Sequence, residues 1–228
     1  MEWIKNVFDL FYPHFCFGCE EALQNKDDIL CDNCLFHLNF IPVSVNDASE
    51  MKRRFYGKLL VAHCVSVLYF SEDGITQKLL HQLKYKNQQK IGHFLAGLTL
   101  QHLKNHSVFN WADAMVCIPL HPSKEKKRGY NQLTTFCNEL SCKLNIPFYK
   151  DYLIKTSNTK TQTHKNIFQR AKITNEFKIN PTFEHLNHKN ILLIDDVMTT
   201  GSTLQNAGNC ILKNSSNNLS VLTMAYTK

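Results

Sequence analysis

The stretch "ILLIDDVMTTGSTL", residues 191–204, decides the fold. Its unbroken apolar start, with no polar alternation, describes a strand covered on both faces, as in the middle of a parallel sheet. Two carboxylates, Asp195 and Asp196, fall at the end of that strand, where open α/β sheets bind their ligands. "TTGST" then spans a loop and the first turn of a helix, where unpaired backbone N–H groups and the helix dipole favour an anion. Gly201 lets the backbone approach closely, and Thr199, Thr200, Ser202 and Thr203 bring short hydroxyls. Carboxylates suit hydroxyl donors and the cradle suits a phosphate, so a phosphorylated sugar would engage both. A plain helix cap after a buried strand would account for only one or two of these residues. No Gly-Lys-Ser/Thr follows, which excludes a Walker A loop, and there is no G-x-G-x-x-G.

Working outward, "KNILLID" (189–195), a helix over 202–213 and "LSVLTMAY" (219–226) make a βαβ unit. Upstream, "LVAHCVSVLYF" (60–70) predicts a strand, and apolar residues at helical spacing predict helices over 74–83 and 91–103. "DAMVCIPL" (113–120) predicts another strand, "HPSKEKKRGYNQ" (121–132) a loop, and Leu133, Phe136, Leu140 and Leu144 a helix face. Strands and helices alternate, so the main domain, residues 55–228, is expected to be α/β with a mainly parallel sheet. A small module over residues 1–45 precedes it.

That module carries C-x-x-C twice, as Cys16, Cys19, Cys31 and Cys34, with eleven residues between the pairs. Each pair can chelate one tetrahedral ion, so structural Zn²⁺ is expected, with His14 and His37 as weaker substitute ligands. Four protein ligands would close the coordination shell against catalysis. Core packing is the expected job of the neighbouring aromatics Phe15, Phe17, Phe36 and Phe40, with stacking on unpaired bases as the alternative. The five remaining cysteines, at 64, 117, 137, 142 and 210, read as small buried hydrophobes. "WIKNVFDLFY" (3–12) places Trp3, Ile4, Val7, Phe8 and Phe11 on one helical face, expected to pack on the protein.

The net charge of +7 and pI near 8.9 favour anionic partners such as nucleotides or nucleic acid. No signal peptide is legible in the first residues and no apolar run has the length of a membrane span, so a cytoplasmic location is expected.

"IDDVMTTGSTL" resembles the phosphoribosyl pyrophosphate loop of type I phosphoribosyltransferases. Flanking features narrow the resemblance to the ComF family of competence-related proteins. They are the two C-x-x-C pairs, "LKYKNQQKIG" (83–92), "IPLHPSKEKKRGYNQ" (118–132) and "TQTHKNIFQRAKITNEF" (161–177). The resemblance implies a type I phosphoribosyltransferase-like domain and names Asp195 and Asp196 as the catalytic pair that holds the ribose hydroxyls. It places Thr199, Thr200, Gly201, Ser202 and Thr203, after Val197 and Met198, around the sugar phosphate. It sets Pro119, Leu120 and His121 facing pyrophosphate, with Lys84 and Arg128 among the basic residues near that leaving group. It also implies Mg²⁺ carried by the ligand's oxygens, a role in DNA uptake and natural transformation, and other competence or DNA-uptake proteins as partners. Lys155 departs from the family, which often carries Arg ahead of the T-x-Q segment; the charge stays but a bidentate fork is lost. Two functions stay open at this point: an enzyme of the phosphoribosyltransferase class, its acceptor unnamed, or a non-catalytic single-stranded DNA-binding factor with a vestigial sugar-phosphate site.

Overall fold

The structure, a computed structural model, describes residues 14–46, 50–156, 176–183 and 185–228, the side chains of Lys127 and Asn214 excepted. The amphipathic segment at 3–12 and most of the segment at 161–177 lie outside the described residues. The described strands and helices are, in chain order, α1 (Asp32–Phe36), α2 (Glu50–Arg53), β1 (Cys64–Tyr69), α3 (Ile75–Tyr85), α4 (Lys90–His102), α5 (Ser107–Trp111), β2 (Ala114–Cys117), α6 (Pro122–Arg128), α7 (Leu133–Leu144), β3 (Leu153–Lys155), β4 (Phe177–Ile179), β5 (Asn190–Met198), α8 (Ser202–Asn214) and β6 (Asn218–Tyr226).

Four strands form one sheet in the order β1-β6-β5-β2, and every neighbouring pair is parallel. The α/β architecture read from the alternating pattern is therefore the observed one. Ile191, Leu192, Leu193 and Ile194 show no exposed surface, as a continuous apolar run in a central strand requires. β6 is buried along nearly its whole length between β1 and β5. β5, α8 and β6 form the expected βαβ unit, and α8 packs on both strands. β3 and β4 pair antiparallel as a separate two-stranded sheet, against which α8 also packs.

Two local expectations are corrected. Residues 122–128 form a helix rather than a loop. Pro122 sits at its start, where a missing N–H costs nothing, and the His121 side chain caps it by accepting from the Ser123 N–H. β5 also runs on to Met198, so Asp195 and Asp196 lie within the strand instead of at its end.

The cysteine module is joined to the sheet. The Ile41 N–H donates to the Val67 carbonyl at 2.9 Å and the Tyr69 N–H to the Asn39 carbonyl at 2.8 Å, so residues 39–41 cover the edge of β1. Covering an edge strand removes a row of unpaired backbone groups. His102 of α4 reaches the Ile41 carbonyl at 2.6 Å and stacks on Phe40. Lys78 of α3 donates to the Gly18 carbonyl at 2.6 Å.

The expected packing of the module's aromatics holds only in part: Phe17 and Phe40 pack on the core, whereas Phe36 is 85% exposed and Phe15 53%. Cys64, Cys117 and Cys137 are buried as expected, but Cys142, on α7, is exposed.

Candidate functional site

Adjacent residues of a strand point to opposite faces, so Asp195 and Asp196 meet different neighbours. Asp196 is 8% exposed and its two oxygens are held separately. Lys84, near the end of α3, donates to Oδ1 at 2.9 Å, and Gln132 donates to Oδ2 at 2.6 Å. Gln132 in turn accepts from Arg128 at 3.0 Å, and the Arg128 guanidinium lies over the Tyr85 ring. Lys84 and Arg128, both expected near the ligand, are thus tied into one network around Asp196.

Asp195 keeps part of its surface exposed and accepts from the Asp196 N–H at 2.8 Å. Its carboxyl is pushed up to about 8, first by burial and then by the charge of Asp196, with Lys84 and Lys155 pulling in the opposite direction. The site therefore contains one carboxyl paired with a lysine, Asp196 with Lys84, and one, Asp195, disposed to keep its proton at neutral pH.

The segment "RGYNQ" (128–132) positions much of this network. Tyr130 donates its hydroxyl to the Leu83 carbonyl, next to Lys84. Asn131 donates to the Ile118 carbonyl at 3.2 Å and accepts from the Leu133 N–H at 3.0 Å, joining the end of β2 to the start of α7. Of the expected pyrophosphate-facing residues, His121 is occupied as the cap of α6, and Pro119 and Leu120 line a cleft of about 140 Å³ that also takes in Lys155.

The loop between β5 and α8 bends at Gly201, whose φ of +77° is left-handed and whose position is the cap of α8. The glycine cap offers no side chain to the helix start, and the N–H groups of the first turn have no partner within the helix; among the described residues the Ser202 N–H reaches Thr200 Oγ1 at 3.4 Å. A Cβ on Gly201 would lie 3.1 Å from the Phe55 ring. Val197 and Met198 belong to β5; Met198 is 1% exposed and its carbonyl accepts from the Thr227 N–H at 3.0 Å.

Arg54 holds the base of this loop. It donates to the Thr199 carbonyl, to the Thr227 carbonyl at 3.0 Å and to the Tyr226 hydroxyl at 3.1 Å, with its guanidinium over the Tyr226 ring. Arg54, Phe55 and Gln132 are the site residues that sequence reasoning missed. "RGYNQ" contained a signal for Gln132, whereas nothing in the sequence around Arg54 and Phe55 pointed across the chain to the loop.

The four cysteine sulfurs Cys16, Cys19, Cys31 and Cys34 lie within 4.8 Å of one another, and neither His14 nor His37 joins them. The Cys19 and Cys31 sulfurs are 3.7 Å apart, which matches the separation of about 3.8 Å expected for two thiolates about 2.3 Å from a tetrahedral zinc ion. Cys16 Sγ accepts from the Gly18 and Cys31 N–H groups, each at 3.3 Å. Burial raises the Cys16 thiol, but the backbone donors at Cys19, Cys31 and Gly18 outweigh it and hold the group at about 6, favouring the thiolate that binds metal. A side chain at Gly18 would meet Cys34 Sγ at 2.7 Å, so the loop closes tightly only around glycine. The cluster could hold a metal such as zinc.

Among the described residues, no helix is long and apolar enough to cross a membrane.

No family model matches the chain. It is 24% identical over 202 residues to competence protein F of Haemophilus influenzae, covering 87% of this chain and 84% of that one. It is 24% identical over 203 residues to competence protein ComFC of Bacillus subtilis, covering 87% and 78%. To the DNA utilization protein YhgH of Salmonella typhimurium it is 27% identical over 153 residues, covering 65% and 66%. Similar solved structures include adenine phosphoribosyltransferase of Leishmania tarentolae, with a TM-score of 0.39, 10% identity and coverage of 71% and 91%. A hypothetical protein of Neisseria gonorrhoeae with bound ppGpp has a TM-score of 0.37, 17% identity and coverage of 60% and 67%. At these TM-scores the structural likenesses add nothing to what the sheet itself shows. The likenesses to the two competence proteins each run over 87% of this chain, and they support the resemblance to the ComF family read from its motifs.

Proposed function

We propose that the protein binds phosphoribosyl pyrophosphate with a divalent cation on a type I phosphoribosyltransferase-like domain, residues 55–228, and supports DNA uptake in natural transformation. The observation that carries this reading is the loop at 199–203, whose glycine cap offers the α8 N-terminus no side-chain acceptor and which lies two residues beyond the carboxyl pair. In this reading the N–H groups at the helix start and the hydroxyls of Thr199 to Thr203 take the sugar phosphate, and the Asp195 and Asp196 carboxyls take the ribose hydroxyls. Leu120, His121, Lys84 and Arg128 sit toward the pyrophosphate, and Mg²⁺ rides on pyrophosphate and ribose oxygens. The four-cysteine module, within residues 1–45, holds structural zinc and ties the fold to the edge of β1. The biological role follows the names of the competence and DNA utilization proteins that the chain resembles, and a cytoplasmic location is proposed with it.

The test is calorimetric titration of zinc-loaded protein with phosphoribosyl pyrophosphate, with and without Mg²⁺, beside a variant carrying Asp195→Asn and Asp196→Asn. Mg²⁺-dependent binding lost in the variant is the expected result. A folded parent that binds nothing would leave the loop as scaffold. It would favour the second reading, a non-catalytic factor that binds single-stranded DNA, which the net charge of +7 and the exposed Phe15 and Phe36 support.

A further inference from the structure

The loop at 199–203 has a second wall that the proposed function does not use. Glu50, Arg53, Arg54 and Lys58 line, with Thr200, an open cleft of about 370 Å³, within the range of small-ligand pockets. Three cations against one carboxylate make it electropositive. Arg54 is committed to the loop and to the end of β6. Arg53 and Lys58 are both exposed, and among the described residues neither side chain takes part in a hydrogen bond or ion pair. Their charges are left for a ligand.

The wall that presents them is fixed. Phe55, 1% exposed, is buried beneath Gly201, and its carbonyl accepts from the N–H groups of Lys58 and Leu59, each at 2.9 Å. Arg53 and Lys58 thus flank one tight turn whose backbone is already ordered, so little entropy is lost when they close on an anion. A guanidinium, an ammonium and a threonine hydroxyl are groups that recognise a phosphate. Glu50 supplies an acceptor for a sugar hydroxyl or a base amino group, which a bare anion would not use. Tyr56, in the same turn and 66% exposed, offers an aromatic face to a base.

We propose that this cleft is a second phosphate subsite, taking the phosphate of a nucleotide, separate from the cradle that the proposed function gives to the sugar phosphate. The phosphate is either that of a free mononucleotide or one within a single strand.

The zinc-loaded full chain is titrated at low salt with deoxyadenosine 5′-monophosphate, with deoxyadenosine, with a short oligodeoxyadenylate and with phosphoribosyl pyrophosphate. The comparison is a variant carrying Arg53→Gln and Lys58→Gln, with Lys58→Gln alone as a milder second variant and melting midpoint and zinc content as folding controls. The nucleotide or the oligonucleotide should bind the parent, deoxyadenosine should not, and the double variant should bind about tenfold more weakly or worse. Affinity for phosphoribosyl pyrophosphate should stay within about twofold. Binding of the mononucleotide assigns a free nucleotide, and binding of the oligonucleotide alone assigns a strand phosphate. The proposal is overturned if neither binds the parent, if deoxyadenosine binds equally, or if the variants leave nucleotide affinity unchanged. A parallel loss of phosphoribosyl pyrophosphate binding would also overturn it, since the cleft would then belong to the sugar-phosphate cradle. If the parent binds nucleotide but no phosphoribosyl pyrophosphate, the proposed function fails while the subsite stands.

Discussion

Replacing Asp195 with Asn should stabilise the unliganded protein in a way that depends on pH. The Asp195 carboxyl is raised from 3.8 to about 8 by burial and by Asp196. A raised carboxyl keeps its proton in the folded protein at pH values where the unfolded chain has released it, so stability falls as pH rises from about 4 to about 8 and the penalty is complete above that. At about 1.4 kcal/mol per pH unit the ceiling is about 6 kcal/mol. Asp195 is not fully enclosed, and water entering on ionisation reduces the expected penalty to about 2 kcal/mol. Asn cannot ionise, yet its side-chain oxygen can still accept from the Asp196 N–H. For a chain of 228 residues, 2 kcal/mol corresponds to about 4–8 °C in the melting midpoint. Thermal melts of parent and Asp195→Asn at pH 4.5, 6, 7 and 8.5 cancel the other titrating groups in the difference. The variant should melt higher at pH 8.5, and the gain should shrink toward zero near pH 4.5. An equal or lower midpoint at pH 8.5 would show that Asp195 is already comfortably ionised and that the reasoning about its burial is wrong. The same variant should lose phosphoribosyl pyrophosphate binding, so that stability rises as the proposed function is lost.

Gln132→Leu removes one of the two donors to Asp196 and the acceptor for Arg128; urea titration should show a loss of about 1–3 kcal/mol, with weakened phosphoribosyl pyrophosphate binding. Gly201→Ala forces a left-handed alanine against Phe55; about 1–2 kcal/mol of backbone cost should appear in denaturation together with a weaker cradle, and unchanged ligand affinity would argue against the loop as the phosphate site. Cys31→Ser should lower bound zinc, read by colorimetric release, to well below one equivalent, and the melting midpoint of the variant should no longer respond to a chelator as that of the parent does.

Much of the fold was legible in the sequence because its signals are local. The apolar run at 191–194 fits a strand covered on both faces, and helical spacing marked α3, α4 and α7 to within a few residues. The helix at 122–128 was hidden because its residues are nearly all charged or polar, leaving no apolar stripe to read, and its start is fixed by a proline and a histidine cap. The exposure of Phe15 and Phe36 was hidden for the opposite reason: an apolar side chain gives no local sign of whether a partner surface lies opposite it.

By itself the sequence determined the chemistry that is contiguous along the chain: the carboxyl pair and glycine-hydroxyl loop in one segment, and the two cysteine pairs in another. Tertiary structure alone decided what surrounds them. Asp196 is held by Lys84 and Gln132, 112 and 64 residues away in sequence, and the loop at Thr199 is held by Arg54, 145 residues away. The strand order β1-β6-β5-β2 brings these groups together by placing the last strand of the chain between the first and the fifth. Contacts of that range are paid for by burial of the whole sheet, and no short window of sequence encodes them.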